Sequence, residues 1–195
     1  MFGAPEASGK KARKPAKVAK AKPGAEPAWK QIAGTPATQT TPPGYHTVTL
    51  ALVMPKAADA IEFYKQALGA KEIERMPMPD RRIMHATLEF GDSKLMLSDE
   101  FPEMGGCKSA VTLGGSPVAV HYYTTDVDAA FKQLTAAGAK TVMPVADMFW
   151  GDRYGAAVDP SGYTWGVATH KEDLTPAQMG ERMKAEMQAQ AKPTT

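Results

Sequence analysis

His121 is the residue of this 195-residue chain best suited to moving a proton, because an imidazole changes charge near neutrality. The run Pro117–Thr124 around it alternates, so His121, Tyr123 and Ala119 share one face, opposite Val118, Val120 and Tyr122. His85 and Glu89 stand in a second alternating run, Ile83–Phe90, on the face opposite Met84, Ala86, Leu88 and Phe90. Together these residues offer a small ligand a few directed polar contacts. His85, Glu89 and His121 also form one set of donors for a divalent cation, provided all three converge. In the string Phe149-Trp150-Gly151-Asp152-Arg153-Tyr154-Gly155, Trp150 is placed to stack on a ligand and Arg153 to pair with an anionic group. Plainer readings stay open: a histidine bonded across a sheet, His85 and Glu89 in cross-strand pairs, Arg153 bracing Asp152 or Asp159, and the aromatics packing between two copies. His46 and His170 fall at strand ends, at the surface.

Other chemistries fall away. The one cysteine, Cys107, rules out an internal disulfide and any multi-cysteine metal centre, and nothing beside it activates its thiol. No P-loop, dinucleotide fingerprint or nucleophile elbow is present. No run of about 18 apolar residues exists to span a membrane. The Lys- and Arg-bearing N-terminus has no apolar stretch behind it, so it does not read as a secretory signal, and the cytoplasm is the expected compartment.

The overall charge of +2 hides a division: residues 1–44 hold eight Lys and Arg against Glu6 and Glu26, which leaves the remainder acidic by four. Residues 1–44 are rich in Ala, Lys, Pro, Gly and Thr and too poor in apolar groups to offset the entropy of ordering, so they read as a disordered basic tail. Such a tail solubilises the chain or makes weak contact with nucleic acid.

The elements that carry the candidate residues begin near Gly44. His46–Val53 reads as a strand with Val48, Leu50 and Leu52 toward the core and Thr47, Thr49 and Ala51 away from it. Pro55 opens a helix striped with Ala57, Ala60, Ile61, Tyr64 and Leu68, and Gly69 ends it. Strands follow at 71–76, 83–90 and 94–97. After a long connection the order returns: strand 117–124, helix 128–137 stopped by Gly138, strands 140–145, 153–158 and 163–169. Setting residues 57–71 over 126–140 gives six identities in fifteen, including Gly69 over Gly138, the mark of an internal repeat.

The fold class is therefore α+β, two βαβββ modules forming a curved eight-stranded sheet with helices outside and a cup inside. The domain spans 45–170, as modules 45–99 and 117–170 joined by linker 100–116. In the last strand Thr164, Gly166 and Ala168 face inward and Trp165 lies in the core. Residues 171–195 form a C-terminal helix, started by Thr175-Pro176 with Gln178, whose Met179, Met183 and Met187 make a packing stripe.

The segments GYHTVTLALVMPKAADAIEFYKQALGA, RMPMPD, RIMHATLEFGDSKLMLSDEFPEMGG, FWGDRYGAAVDPSGYTW and ATHKED resemble the PhnB-like branch of the glyoxalase/bleomycin-resistance/dioxygenase superfamily, of vicinal oxygen chelate fold. The resemblance runs from about Gly44 to about Met179 and implies paired βαβββ modules and a homodimer. In metal-dependent members four inward positions supply His or Glu to a divalent ion. These correspond here to Thr49, Met96, Ala119 and Gly166, none a usable ligand. The implied function is thus binding of a small organic molecule in a metal-free cup without a cofactor, by sequestration or by acid–base chemistry with His121. Two alternatives stand: a metal-dependent lyase, thiol transferase or dioxygenase of the same superfamily, and a nucleic-acid-associated protein acting through its tail. Arg81 stands where the family turn usually has glycine.

Overall fold

The structure, a computed structural model, describes residue 30 and residues 32–190. The chain divides into two compact units, 1–40 and 41–195. Of the first, residues 32–40 show only bends and irregular backbone. The tail reading for residues 1–29 and residue 31 lies outside the described residues, as do residues 191–195.

The second unit runs β1 (Leu50–Met54), α1 (Ala57–Leu68), β2 (Lys71–Pro77), β3 (Ile83–Phe90), β4 (Ser93–Asp99), then β5 (Ala119–Tyr123), α3 (Val127–Ala136), β6 (Lys140–Asp147), β7 (Asp152–Val158), β8 (Thr164–His170) and α4 (Pro176–Gln190). The connection between the modules is not irregular throughout: it contains a 3-10 turn, Pro102–Met104, and one helical turn, α2 (Ala110–Leu113), capped by the Ser109 hydroxyl. The expected α+β arrangement of two βαβββ modules is present. The eight strands make two mixed four-stranded sheets, ordered β1-β4-β3-β2 and β5-β8-β7-β6, rather than one ladder. The outer strands β1 and β5 flank a cleft lined by Leu50, Phe90, Val120, Tyr122 and Trp165.

Each sheet has one face under helices and one open face. Ala57, Ala60, Ile61, Tyr64, Ala67 and Leu68 of α1 are buried, and each large apolar side chain so buried contributes about 1.5–3 kcal/mol. Strand β1 starts at Leu50 rather than near His46, so Val48, expected in the core, is 86% exposed: two residues before the first ladder pair, it has no sheet to fix its side.

The repeat is visible in hydrogen bonds. Asp99, at the end of β4, accepts from the Ala57 N–H at the start of α1 (2.7 Å); Thr169, at the end of β8, accepts from the Val127 N–H at the start of α3 (2.9 Å). The β2–β3 and β6–β7 turns close alike: Met78 N–H to Arg82 O with Arg81 N–H to Met78 O, and Met148 N–H to Asp152 O with Gly151 N–H to Met148 O. Arg81 and Gly151 hold the same left-handed place, at φ 73° and 98°. The arginine thus adopts the conformation that glycine supplies at the matching turn of the second module.

The modules join through their helix faces. Tyr64 stacks near Phe63, Phe90 and Trp165, and the Tyr163 hydroxyl donates to Val53 O at 2.7 Å. The capping box foreseen at α4 forms, with Gln178 N–H donating to the Thr175 hydroxyl and Thr175 N–H to Gln178 Oε1.

Candidate functional site

The ladder of the second sheet fixes what lies on its open face. His121 pairs with Gly166, which pairs with Ala156; Tyr123 pairs with Ala168, which pairs with Tyr154. Small residues thus floor the middle of the sheet and rings stand around them. His121 stacks on Tyr154 with centroids 5.6 Å apart and planes 20° apart, Tyr123 lies 4.6 Å from His121, and Trp150 meets Tyr154 edge-on at 5.7 Å. Gly166 is required here: a Cβ on it would come within 2.6 Å of the Tyr154 hydroxyl and 2.7 Å of its ring.

Beneath the rings sits Asp152, 4% exposed. Its Oδ2 accepts from the Tyr123 hydroxyl and from Trp150 Nε1–H, both at 3.2 Å, and its Oδ1 faces His170 Nδ1 at 2.7 Å. The polar ends of Tyr123 and Trp150 are therefore turned toward the carboxylate. Burial, with the Asp152 charge beside it, raises the Tyr123 pKa. His170 also faces Asp173 Oδ1 through Nε2 (3.1 Å), and its two carboxylate hydrogen bonds raise its pKa. Among the described residues neither ring nitrogen of His121 has a hydrogen-bond partner, so this imidazole is free to meet a ligand.

The open face of the first sheet is polar. Thr87, fully buried, donates to Glu74 (3.0 Å) and lies 3.1 Å from both His85 Nε2 and the Tyr45 hydroxyl; Glu89 approaches Lys71 at 4.0 Å. His85 and Glu89 thus lie on the expected face, with partners from their own module. The cleft of about 470 Å³ at His121 and Tyr123 draws on both modules, through Leu50, Phe90 and Lys94 of the first, but neither His85 nor Glu89 lines it.

Arg153 is corrected more sharply. It sits between Asp152 and Tyr154 and so projects to the opposite, helix side. There Asp128 of α3 takes it in two bonds of 2.7 Å and Asp147 in one of 3.2 Å. It braces α3 to the β6–β7 turn and does not share a face with His121. A wider cleft of about 790 Å³ near α4 is lined by Arg153, Lys171, Arg182, Asp147 and Glu172, but two of its three cations are already paired, Arg153 as above and Arg182 with Glu172.

Tyr154, Asp152 and His170 were not among the candidates. Alternation from Asp152 was the available signal: it puts residues 152, 154 and 156 on the face of His121 and removes Arg153 from it. Nothing comparable marks Tyr45, 42 residues from Thr87, whereas Glu74 stands directly opposite Thr87 in the β2–β3 ladder.

In the ladders Ala51 pairs with Met96 and His121 with Gly166, so the inward residues beside Met96 and Gly166 are Ala51 and His121; Thr49 precedes β1, and Ala119 pairs with Thr164. Of Ala51, Met96, His121 and Gly166, only His121 carries a donor, and the space above Gly166 is filled by the Tyr154 ring. Among the described residues no group of three His, Cys, Asp or Glu side chains is placed to hold a metal, so the set His85, Glu89 and His121 is not assembled. A divalent ion needs about three or more converging N or O donors, and the residues present do not fit one.

A family model described as the glyoxalase/bleomycin resistance protein/dioxygenase superfamily matches residues 45–167. An uncharacterized protein of Mycobacterium tuberculosis is 45% identical over 118 residues, which is 60% of this chain and 69% of that protein. Among solved structures, TioX from Micromonospora sp. ML1 aligns at 26% identity and TM-score 0.52, over 64% of this chain and 98% of its own. A PhnB protein from Bacillus cereus aligns at 15% identity and TM-score 0.51, over 64% of this chain and 99% of its own, a likeness of fold alone. No helix among the described residues is long and apolar enough to cross a membrane.

Proposed function

Because the chain belongs to the glyoxalase/bleomycin resistance protein/dioxygenase superfamily, we propose that it binds a small organic molecule with a planar, unsaturated part on the open face of its second sheet. The observation that carries this reading is the ring set of His121, Tyr123, Tyr154 and Trp150 around a floor of Gly166, Ala156 and Ala168. Aromatic rings attract a flat ligand by dispersion and offset stacking. The cleft beside His121 and Tyr123 gives it entry, and His121 adds one directed hydrogen bond. The protein sequesters the ligand, or His121 exchanges a proton with it where the ligand carries an ionisable group.

A second copy of the chain is the proposed partner. The apolar side chains of Val142, Ile73 and Met76 are each about half exposed or more, as is Met187 on α4, apolar area that association would bury. Sedimentation should return twice the 20.8 kDa chain mass, and a monomer at micromolar concentration would remove this part of the reading.

Native mass spectrometry of freshly isolated protein, followed by calorimetry with planar aromatic compounds, tests the binding role. His121→Ala and Tyr123→Ala should each weaken the best compound about tenfold or more. Affinity unchanged in both variants would reject this face as the site.

A further inference from the structure

Resting on that binding role, we infer that His170 is a positioning residue: by holding Oδ1 of Asp152 it fixes the carboxylate against which Tyr123 and Trp150 are set, and it makes the aromatic face answer to pH.

The two oxygens of Asp152 are divided. Oδ1 belongs to His170 at 2.7 Å; Oδ2 takes both Tyr123 and Trp150 at 3.2 Å. The longer pair depends on the tilt of the carboxylate plane, and the short bond from His170 sets that tilt. The other nitrogen of His170 faces Asp173 at 3.1 Å. An imidazole with a carboxylate at each nitrogen donates to both only when doubly protonated; the neutral ring has one N–H to give. The cationic form is therefore the one this geometry completes, which agrees with the raised pKa produced by Asp152 first and Asp173 second.

Two carboxylates face His170, Asp152 from β7 and Asp173 from the segment after β8; the Tyr123 hydroxyl of β5 meets the same Asp152, and the charge of the adjacent Lys171 is felt on the far side, at Asp128. The backbone around the pair is fixed. Gly151 O accepts the N–H groups of Lys171 and Glu172, both at 3.0 Å, and a Cβ at Gly151 would meet Glu172 O at 2.4 Å. A change of charge at His170 therefore passes into the side chains on Asp152 rather than into the strands. Below the raised pKa the clamp is complete. As pH rises through it, Asp152 loses its cation, and the hold on Tyr123 and Trp150 slackens.

The test begins without ligand. In 1H–15N spectra of the full chain, the Trp150 indole N–H is identified by its loss in Trp150→Phe. It should move with pH through a single midpoint above the ordinary histidine value of about 6.5. In His170→Gln, which keeps an N–H for Asp152 but no charge, the same signal should stay still, and Asp173→Asn should lower the midpoint. With 8-anilinonaphthalene-1-sulfonate as probe, the native protein should weaken about 3- to 10-fold across the midpoint while His170→Gln stays flat, the scale of one hydrogen bond. An indole signal that ignores pH, or that titrates alike in His170→Gln, overturns the clamp. Probe binding indifferent to Tyr123→Ala counts against the binding role alone, since the indole titration decides the clamp by itself.

Discussion

The Tyr64 hydroxyl donates to Oδ2 of Asp159 at 2.5 Å, tying the helix of the first module to the last turn of the second. Trp165 Nε1–H gives the same oxygen a second bond at 2.9 Å, and Tyr163 N–H holds Oδ1 at 2.9 Å. Burial drives the Asp159 pKa up despite these three donors and the Tyr64 pKa well up, so the pair sits in a dry seam where a missing partner is costly.

Tyr64→Phe removes one donor from that carboxylate and leaves the ring packing in place. Urea unfolding should show a loss of about 1–3 kcal/mol with the slope unchanged. A midpoint equal to the native one would show that the bond adds nothing to the union of the modules.

Arg81 is exposed and left-handed at φ 73°, where a side chain costs about 1–2 kcal/mol relative to glycine. Arg81→Gly relieves that strain but frees the unfolded chain, so a net gain of about 0.5–1 kcal/mol is expected. Thermal unfolding of the two proteins side by side measures it, and a lower melting temperature in the variant would contradict the strain.

Gly166→Ala puts a methyl group where the Tyr154 ring lies. The ring must leave, and His121 loses its stacking partner. The His121 ring protons, shifted by the Tyr154 ring current in the native protein, should move toward free-histidine positions, and probe affinity should fall. Unmoved resonances would mean that Tyr154 does not cover Gly166 in solution.

Arg153→Lys breaks the two-bond hold on Asp128. Melting temperature should drop while probe affinity stays at the native value, the opposite of Tyr123→Ala. Loss of affinity without loss of stability would return Arg153 to the ligand site.

In acid, two groups of carboxylates act with opposite sign. Arg153 lowers the pKa of Asp128, and Arg82 lowers those of Asp80 and Glu103. Their contribution is present above the ordinary carboxylate values of about 4 and is lost as pH falls through the depressed folded values. Asp159, raised by burial, binds its proton more readily folded than unfolded and so adds stability as pH falls through its raised value. Asp159→Asn removes the opposing contribution, and its melting temperature should fall faster than the native one between about pH 5 and 3. Parallel curves would show that Asp159 titrates as it does in the unfolded chain.

The elements were legible in the sequence because their signals are local. Gly69 and Gly138 stop the helices, and alternation in Ile83–Phe90 and Ala119–Tyr123 assigns the faces of His85, His121 and Tyr123 correctly. Val48 was misplaced because alternation continues past the point where the β1–β4 ladder begins. That Ala51 stands beside Met96 and His121 beside Gly166 is not legible in the sequence, since pairing between parallel strands far apart in sequence leaves no trace in either strand alone. Asp128 as the partner of Arg153 was missed for the same reason: 25 residues separate them, and Asp152 and Asp159 were nearer in sequence.

The ring-to-ring chain from Phe63 and Tyr64 through Phe90 and Trp165 to Tyr122 draws on both copies of the repeat. An ancestor made of one copy would have needed a twin to shelter those surfaces. Within the present chain the twin is covalently attached, and each copy has since specialised: one outer face is lined with hydroxyl, carboxylate and imidazole, the other with rings. Severed between residues 105 and 115, neither fragment should adopt its shape by itself, yet mixing the two should restore both, because each supplies the oily wall the other lacks.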